Sequence, residues 1–393
     1  MFAAIFFFFI SAHSIAQKDS IQFLLIDTIT NGAADYYMAG NFNSWNPKDE
    51  KYRFKKDNGG NFVLYKIFDK SSNLEFKFTK GNWQTVECDN NGNDIENRYL
   101  KTDTTTFAVY TISGWKDKFK PQEKRHTASN HVSIIDTAFY IPQLNRYRRI
   151  WVYLPEGYGA SSKRYPVMYL HDGQNVFDEY TSGFGEWGVD ECLDTLIAKG
   201  KPPCIIVAID NDGLKRMGEY NPYEFELNMS GRQKQKFTAE GDLYIRFITQ
   251  TLKPFIDKNY KTIPSKENTM IAGSSMGGLI SYYAAVKYPD IFGKVGVFSP
   301  AFWTAQGINA LTDSVSSKLN SKFFFYMGAL EGGKYLDDMR TIVEKLGTFS
   351  NTMIYTIIDE QGRHNEAAWR KWFAEFYNWI IADGYNSIIK LTE

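Results

Sequence analysis

The sequence predicts an α/β chain in which a doubly wound, mostly parallel sheet follows a small all-β sandwich. Three observations carry this. Beyond about residue 131, continuously apolar runs such as CIIVAI and KFFFYMG alternate with helical stretches, as expected of parallel strands covered on both faces. Before about residue 114 there are only short β-type runs separated by Asn, Gly and Asp clusters. Finally, 393 residues exceed what one hydrophobic core usually supports.

Composition narrows the partners. Hydrophobic residues make up 43% and aromatics 16%, which suits packed sheets and not disorder. Lys plus Arg equals Asp plus Glu at 45 each, so the long-range attraction on which nucleic-acid binders rely is missing and nucleic acid is not an expected partner. Cys88, Cys192 and Cys204 have no metal or CxxC spacing; they are read as free, with a Cys192–Cys204 bridge as the alternative in an oxidising compartment.

Taken in order, residues 1–17 (MFAAIFFFFISAHSIAQ) place an apolar run before Ser14 and Ala16, the spacing of a cleavable export signal, so a secreted or periplasmic protein is expected. No later segment approaches the ~20 apolar residues a membrane span needs. Residues 18–114 hold the runs QFLLID, YYMAGNF, NFVLYKIF, LEFKFTK and TFAVYTI, whose turn spacing fits a small sandwich. Residues 115–130 are polar and charged and read as a linker. In 131–393, strands at RRIWVYLP, YPVMYL, CIIVAI, TMIA, KVGVF, KFFFYMG and TMIYTIID alternate with helices expected near 189–198, 239–259, 279–287, 308–319, 335–346 and 365–382.

The strongest motif is Gly273-Ser274-Ser275-Met276-Gly277, a G-x-S-x-G between the strand TMIA and a helix. A serine on so tight a strand-to-helix turn exposes its hydroxyl at the carboxyl edge of the sheet, and the helix amino terminus favours negative charge beside it. A serine hydroxyl is a weak nucleophile until a base takes its proton. Of the five histidines, His13, His126 and His131 fall in the signal, the linker and the domain start, and His171 precedes the serine. His364, in the polar loop DEQGRHNEAAW after the last strand, is the candidate base.

A carboxylate should hold that imidazole in the right tautomer. Asp290, Asp313, Glu331, Asp337, Asp338, Glu344, Asp359 and Glu360 lie between Ser275 and His364. Glu331, three residues after KFFFYMG, is favoured by its place on the sheet edge; Asp359, Asp337 and Asp338 stay open. Two N–H donors for an oxyanion are expected from the backbone of Met276 and from the loop His171-Asp172-Gly173-Gln174, through Gln174. His171 and Asp172 are expected to shape that loop, not to react.

From roughly Arg149 to Ile381 the chain resembles an esterase family of α/β-hydrolases that includes feruloyl esterases, enterochelin esterases and the antigen 85 acyltransferases. The resemblance rests on VMYLHDGQNVFD, IVAIDNDGLKRMGEYNP, IAGSSMGGLISYYAA, VGVFSPAFW and Gly328 to Glu331 followed by GRHNEAAWR. It implies Ser275, Glu331 and His364 as triad and the Gln174 and Met276 backbone as oxyanion hole. Many relatives carry Asp where Glu331 stands. YYMAGNFNSW with EFKFTKGNW resembles starch- or glycogen-binding modules, in which tryptophans at the positions of Trp45 and Trp83 stack on sugars; the alternative makes both rings core aromatics of a spacer. The expectation is a serine carboxylic-ester hydrolase without metal or organic cofactor, acting on feruloyl- or acetyl-type esters of polysaccharides. A siderophore trilactone esterase and a catalytically idle glycan-binding protein are the alternatives.

Overall fold

The computed structural model describes residues 18–30, 33–69, 73–95, 97–120, 124–228, 234–349, 352–382 and 388–392. The expected export signal, 1–17, lies outside the described residues. The chain divides into two compact units, residues 1–123 with 228–235, and residues 124–227 with 236–393.

In the first unit a four-stranded sheet pairs Lys55–Lys56, Phe62–Asp69, Lys18–Ile26 and Phe107–Thr111 in that order, and a three-stranded sheet pairs Tyr37–Gly40, Asn73–Thr79 and Arg98–Lys101. Side chains from both sheets, Ile21, Phe23 and Leu25 with Met38, Phe76 and Phe78, share one core. The alternation of apolar residues puts one face of each strand inward. Trp115, expected in the linker, is instead fully buried in this core, stacked on Tyr36 at 5.6 Å. Its indole N–H and the Tyr36 hydroxyl both donate to Asp27, at 2.9 and 2.6 Å, so two buried donors share one carboxylate. The far end of the expected linker is held by the second unit: the Thr127 and Ser129 amides donate to Asp178 and Asp190. A polar stretch reads as linker when the partners that order it are distant in sequence.

The second unit is built on a nine-stranded sheet. Its strands are β1 (Val132–Ile141), β2 (Arg146–Tyr153), β3 (Val167–His171), β4 (Ile205–Ile209), β5 (Thr269–Ser274), β6 (Lys294–Phe298), β7 (Lys322–Gly328), β8 (Met353–Asp359) and β9 (Ile388–Thr392). They run in the order β1-β2-β4-β3-β5-β6-β7-β8-β9, with β2 opposing both neighbours and all other pairs parallel. Helices α1 (Val189–Ala198), α2 (241–259), α3 (Met276–Lys287), α4 (Ile308–Val315), α5 (Gly333–Phe349) and α6 (Glu366–Ile381) connect them. The middle of α2, Ile248–Leu252, is a π-helical turn.

Each strand sends alternate residues to opposite faces, and the two faces close separate cores. Val167, Tyr169, Ile205, Val207 and Ile271 pack beneath α2 to α5, whereas Met168, Leu170, Ile206, Ala208 and Ala272 pack against α1 and α6. Helix α3 is buried from Met276 to Val286, so the helix that follows Ser275 is anchored along almost its whole length. The three cysteines are free thiols. Among the described residues no helix is long and apolar enough to cross a membrane.

Candidate active site

Ser275 sits between the last residue of β5 and the first of α3 with φ +58° and ψ −121°, a left-handed conformation that costs a non-glycine residue roughly 1–3 kcal/mol. The surroundings hold it there. Its amide donates to the Phe298 carbonyl at 2.9 Å, and its carbonyl accepts from Ala301 at 3.0 Å and Leu279 at 3.1 Å. Close approach explains the glycines: a Cβ on Gly273 would stand 2.9 Å from both the Gly277 carbonyl carbon and His171 Cδ2, and one on Gly278 would stand 2.7 Å from the Phe298 oxygen. Gly278, outside the five-residue motif, is as tightly confined as Gly273.

Glu331 ends the short 3-10 turn Ala329–Glu331 after β7, and His364 lies in the loop between β8 and α6. The structure brings them together: His364 Nδ1 is 2.6 Å from Glu331 Oε2, the carboxylate side chain 2% exposed and the imidazole 40% exposed. The other oxygen, Oε1, accepts from the Gly328 amide at 2.9 Å and from Ser299 Oγ at 2.6 Å, and Ser299 Oγ accepts in turn from Trp369 Nε1 at 2.9 Å. Such a set of contacts fixes a carboxylate that can orient an imidazole. Two of the candidate acids left open are engaged elsewhere: Asp359 accepts from Trp372 Nε1 at 2.7 Å and Lys371 Nζ at 3.0 Å, and Asp338 pairs with Lys334 at 2.8 Å.

Gln174 lies in the 3-10 turn Gly173–Asn175 after β3. Its carbonyl accepts from Thr181 Oγ1 at 2.7 Å and its side-chain oxygen accepts from the Asn211 amide at 3.1 Å. Asp172, at φ +57°, turns the chain into this loop; both of its carboxylate oxygens take Arg216, at 2.7 Å each, and Oδ1 also takes Asn211 Nδ2 at 2.7 Å. Burial opposes its ionisation, but Arg216 and Asn211 outweigh it and hold the carboxyl below its ordinary range. His171 is buried against the motif glycines with Nδ1 2.9 Å from the Tyr244 hydroxyl. Desolvation pushes it down to about 3, so it is a neutral brace. Met276 begins α3, its sulfur accepting from Thr304 Oγ1 at 3.7 Å.

Several contributors had no sequence signal as single residues. Ser299, within the VGVFSPAFW motif, links the acid to Trp369. Trp303 and Tyr335 follow β6 and β7, lie with ring centroids 6.0 Å apart at a tilt of 39°, and are 41% and 39% exposed; Trp303 comes two residues after Ala301, whose amide grips Ser275. In the first unit Trp45 and Trp83 are brought together, ring centroids 6.3 Å apart; Trp83 is 41% exposed and Trp45 half-buried, and neither belongs to the core.

A family model described as "Putative esterase" matches residues 141–327. The uncharacterized protein YbbA of Bacillus subtilis is 24% identical over 251 residues, 61% of this chain and 95% of that protein. The endo-1,4-beta-xylanase/feruloyl esterase of Xylanibacter ruminicola is 33% identical over 178 residues, 43% of this chain but only 22% of that protein. The crystal structure of the enterobactin esterase FES from Shigella flexneri, 13% identical, superposes with a TM-score of 0.53 over 88% of this chain and 87% of its own. The chain is a carboxylic ester hydrolase on an α/β-hydrolase-like fold, and the matches support the esterase family that its motifs resemble.

Two outcomes follow from this geometry. Glu331→Gln should lower kcat by about four orders of magnitude, the size known for loss of an orienting carboxylate, while Asp359→Asn stays within about tenfold; the reverse ranking in steady-state assays would reassign the acid. His171, neutral in the fold, contributes stability that is present above the ordinary histidine range near 6.5 and is lost as pH falls toward about 3. Its ring signals in NMR should still report a neutral imidazole at pH 5, and charging near pH 6.5 would contradict its burial.

Proposed function

We propose that this chain hydrolyses carboxylic esters through a covalent acyl-enzyme, and that its substrates are acyl esters of polysaccharides, feruloyl-type before acetyl-type. The observation that carries the reaction is the Glu331–His364 contact at 2.6 Å, on the same sheet edge as the left-handed Ser275. In this mechanism His364 Nε2 takes the Ser275 proton as Oγ attacks the ester carbonyl. The Met276 and Gln174 amides receive the oxyanion. His364 returns the proton to the departing alcohol, and a water, deprotonated the same way, releases the acid and regenerates Ser275. The exposed Trp303–Tyr335 pair, carried by the segments that follow β6 and β7 on the sheet edge of Ser275, supports a flat aromatic group on the substrate, because aromatic faces gain most from partners that shed water on contact.

A siderophore trilactone esterase is the second reading, favoured by the fold likeness to the enterobactin esterase along most of both chains. We read the first unit as a carbohydrate-binding β-sandwich that tethers an exported enzyme to a glucan or related polysaccharide, with the Trp45–Trp83 pair as its platform.

Ser275→Ala and His364→Ala should each lower turnover of methyl ferulate and p-nitrophenyl acetate by at least about a thousandfold with the fold intact by circular dichroism. Activity within tenfold of wild type for either would end the mechanism. A panel with methyl ferulate, acetylated xylan and a catecholate trilactone separates the substrate readings; the polysaccharide reading expects the highest kcat/KM on the feruloyl ester, and highest activity on the trilactone would replace it. Trp45→Ala with Trp83→Ala should abolish retention on insoluble starch or xylan without altering turnover of p-nitrophenyl acetate. Equal retention of parent and double variant, or none by the parent, would reduce the first unit to a spacer.

A further inference from the structure

Glu366 stands two residues beyond His364, at the first position of α6, and is 8% exposed. A carboxyl at so buried a place needs a partner. Its Oε1 accepts from Asn175 Nδ2 at 3.3 Å, and Asn175 is the residue after Gln174. Asn175 is otherwise fully used: its side-chain oxygen accepts from the Gly183 amide at 3.1 Å, its carbonyl from Trp187 at 2.8 Å, and its amide donates to the Asp172 carbonyl at 2.8 Å. The amide side chain of Asn175 thus has its acceptor on the 178–187 loop and its donor on α6. Gly185, on that loop, lies close enough that a Cβ there would stand 3.8 Å from Glu366 Cβ. The oxyanion turn and the histidine loop come from opposite ends of the unit, 191 residues apart, and this is a side-chain bond between them.

We propose that Glu366 is a positioning residue for ester hydrolysis: through Asn175 it locks the Gly173–Asn175 turn, and with it the Gln174 amide, against the loop that carries His364. This rests on the acyl-enzyme reading above. The groups that face Glu366 are Asp172 from the loop after β3, Arg216 from the helix Arg216–Glu219, and His364 from its own loop. Burial, with Asp172 adding to it against its own backbone amide, His364 and Arg216, pushes the carboxyl up to about 7. Glutamine copies the shape of the neutral acid, keeps an oxygen for Asn175 Nδ2, and carries no proton to lose.

The test uses the full chain with p-nitrophenyl acetate, which is too small to report on distant substrate contacts. Glu366→Ala should lower kcat about 10- to 100-fold, the cost of misplacing an oxyanion donor by a fraction of a turn, with KM nearly unchanged. Glu366→Gln should recover kcat to within about threefold of wild type. Asn175→Ala should lose a similar factor, and the double alanine variant should be no worse than either single one, because both break the same link. If Glu366→Ala does not fold, Asn175→Ala against Glu366→Gln still decides the matter. Wild-type kcat in either alanine variant, or a Gln variant as impaired as Ala, overturns the proposal. Labelling by a fluorophosphonate separates the two layers: a wild-type enzyme that is not modified on Ser275 overturns the acyl-enzyme reading and this inference with it, whereas a modified wild type with an equally fast Glu366→Ala variant overturns the inference alone. The sign of the stability effect is also fixed. A carboxyl whose folded value lies above the ordinary 4.5 contributes stability at low pH that is lost as pH rises through about 7. The melting temperature of Glu366→Gln relative to wild type should therefore increase from pH 5 to pH 8, and a constant difference would contradict a buried neutral carboxyl.

Discussion

The catalytic unit is arranged around one backbone constraint, the left-handed conformation of Ser275. A side chain there is tolerated only because the neighbouring strand ends fix the chain from both sides, with Phe298 and Ala301 gripping the amide and carbonyl and buried α3 continuing directly from it. The same Phe298–Ala301 segment supplies Ser299, which donates to Glu331, so the turn that strains the serine also seats the acid. His171 fills the space under Gly273 and Gly277 and starts the loop that carries Gln174. Serine, acid and oxyanion turn are therefore consequences of one packing arrangement at the carboxyl edge of four adjacent strands, β3, β5, β6 and β7.

Electrostatics at that edge divides the buried groups by environment. Asp172 remains ionised because a bidentate Arg216 compensates its desolvation. His171, with only a phenol hydroxyl for a partner, is kept neutral. Glu331 collects an amide, a hydroxyl and the imidazole, and Glu366 has a single amide donor from another residue and is pushed toward neutrality. In the proposed mechanism, carboxyls of one chemistry thus take different tasks: one orients, one buttresses and one anchors a loop.

Much of the fold was legible because the signals are local. Helix α1 has the ends expected from its periodicity, and the β-type runs from KVGVF to TMIYTIID form strands β6 to β8. Other features deviate for physical reasons. Helix α3 begins at Met276, three residues before the expected Leu279, because the elbow must enter a helix at once even through two glycines, which are poor helix formers. The helix expected over 239–259 contains a π turn that no propensity encodes. Strand β1 escaped notice because its mixed polar pattern belongs to a sheet edge with two irregularities in register. In the site, Ser275 and His364 could be named from motif and scarcity, and Glu331 from its distance past a strand. The links that unite them could not be read: Ser299 to Glu331 spans 32 residues, Trp369 to Ser299 spans 70, and Asn175 to Glu366 spans 191. Such contacts are products of strand order, and strand order is set by packing that a linear pattern does not record.

The central claim is that an ester passes its acyl group to Ser275. The direct measurement is intact-protein and peptide mass spectrometry of enzyme acid-quenched while turning over an aryl ester that deacylates slowly. The account predicts one added acyl mass, located on the peptide containing Gly273 to Gly277, and absent from Ser275→Ala. Full turnover with no trapped adduct, or an acyl group on any other residue, would contradict it.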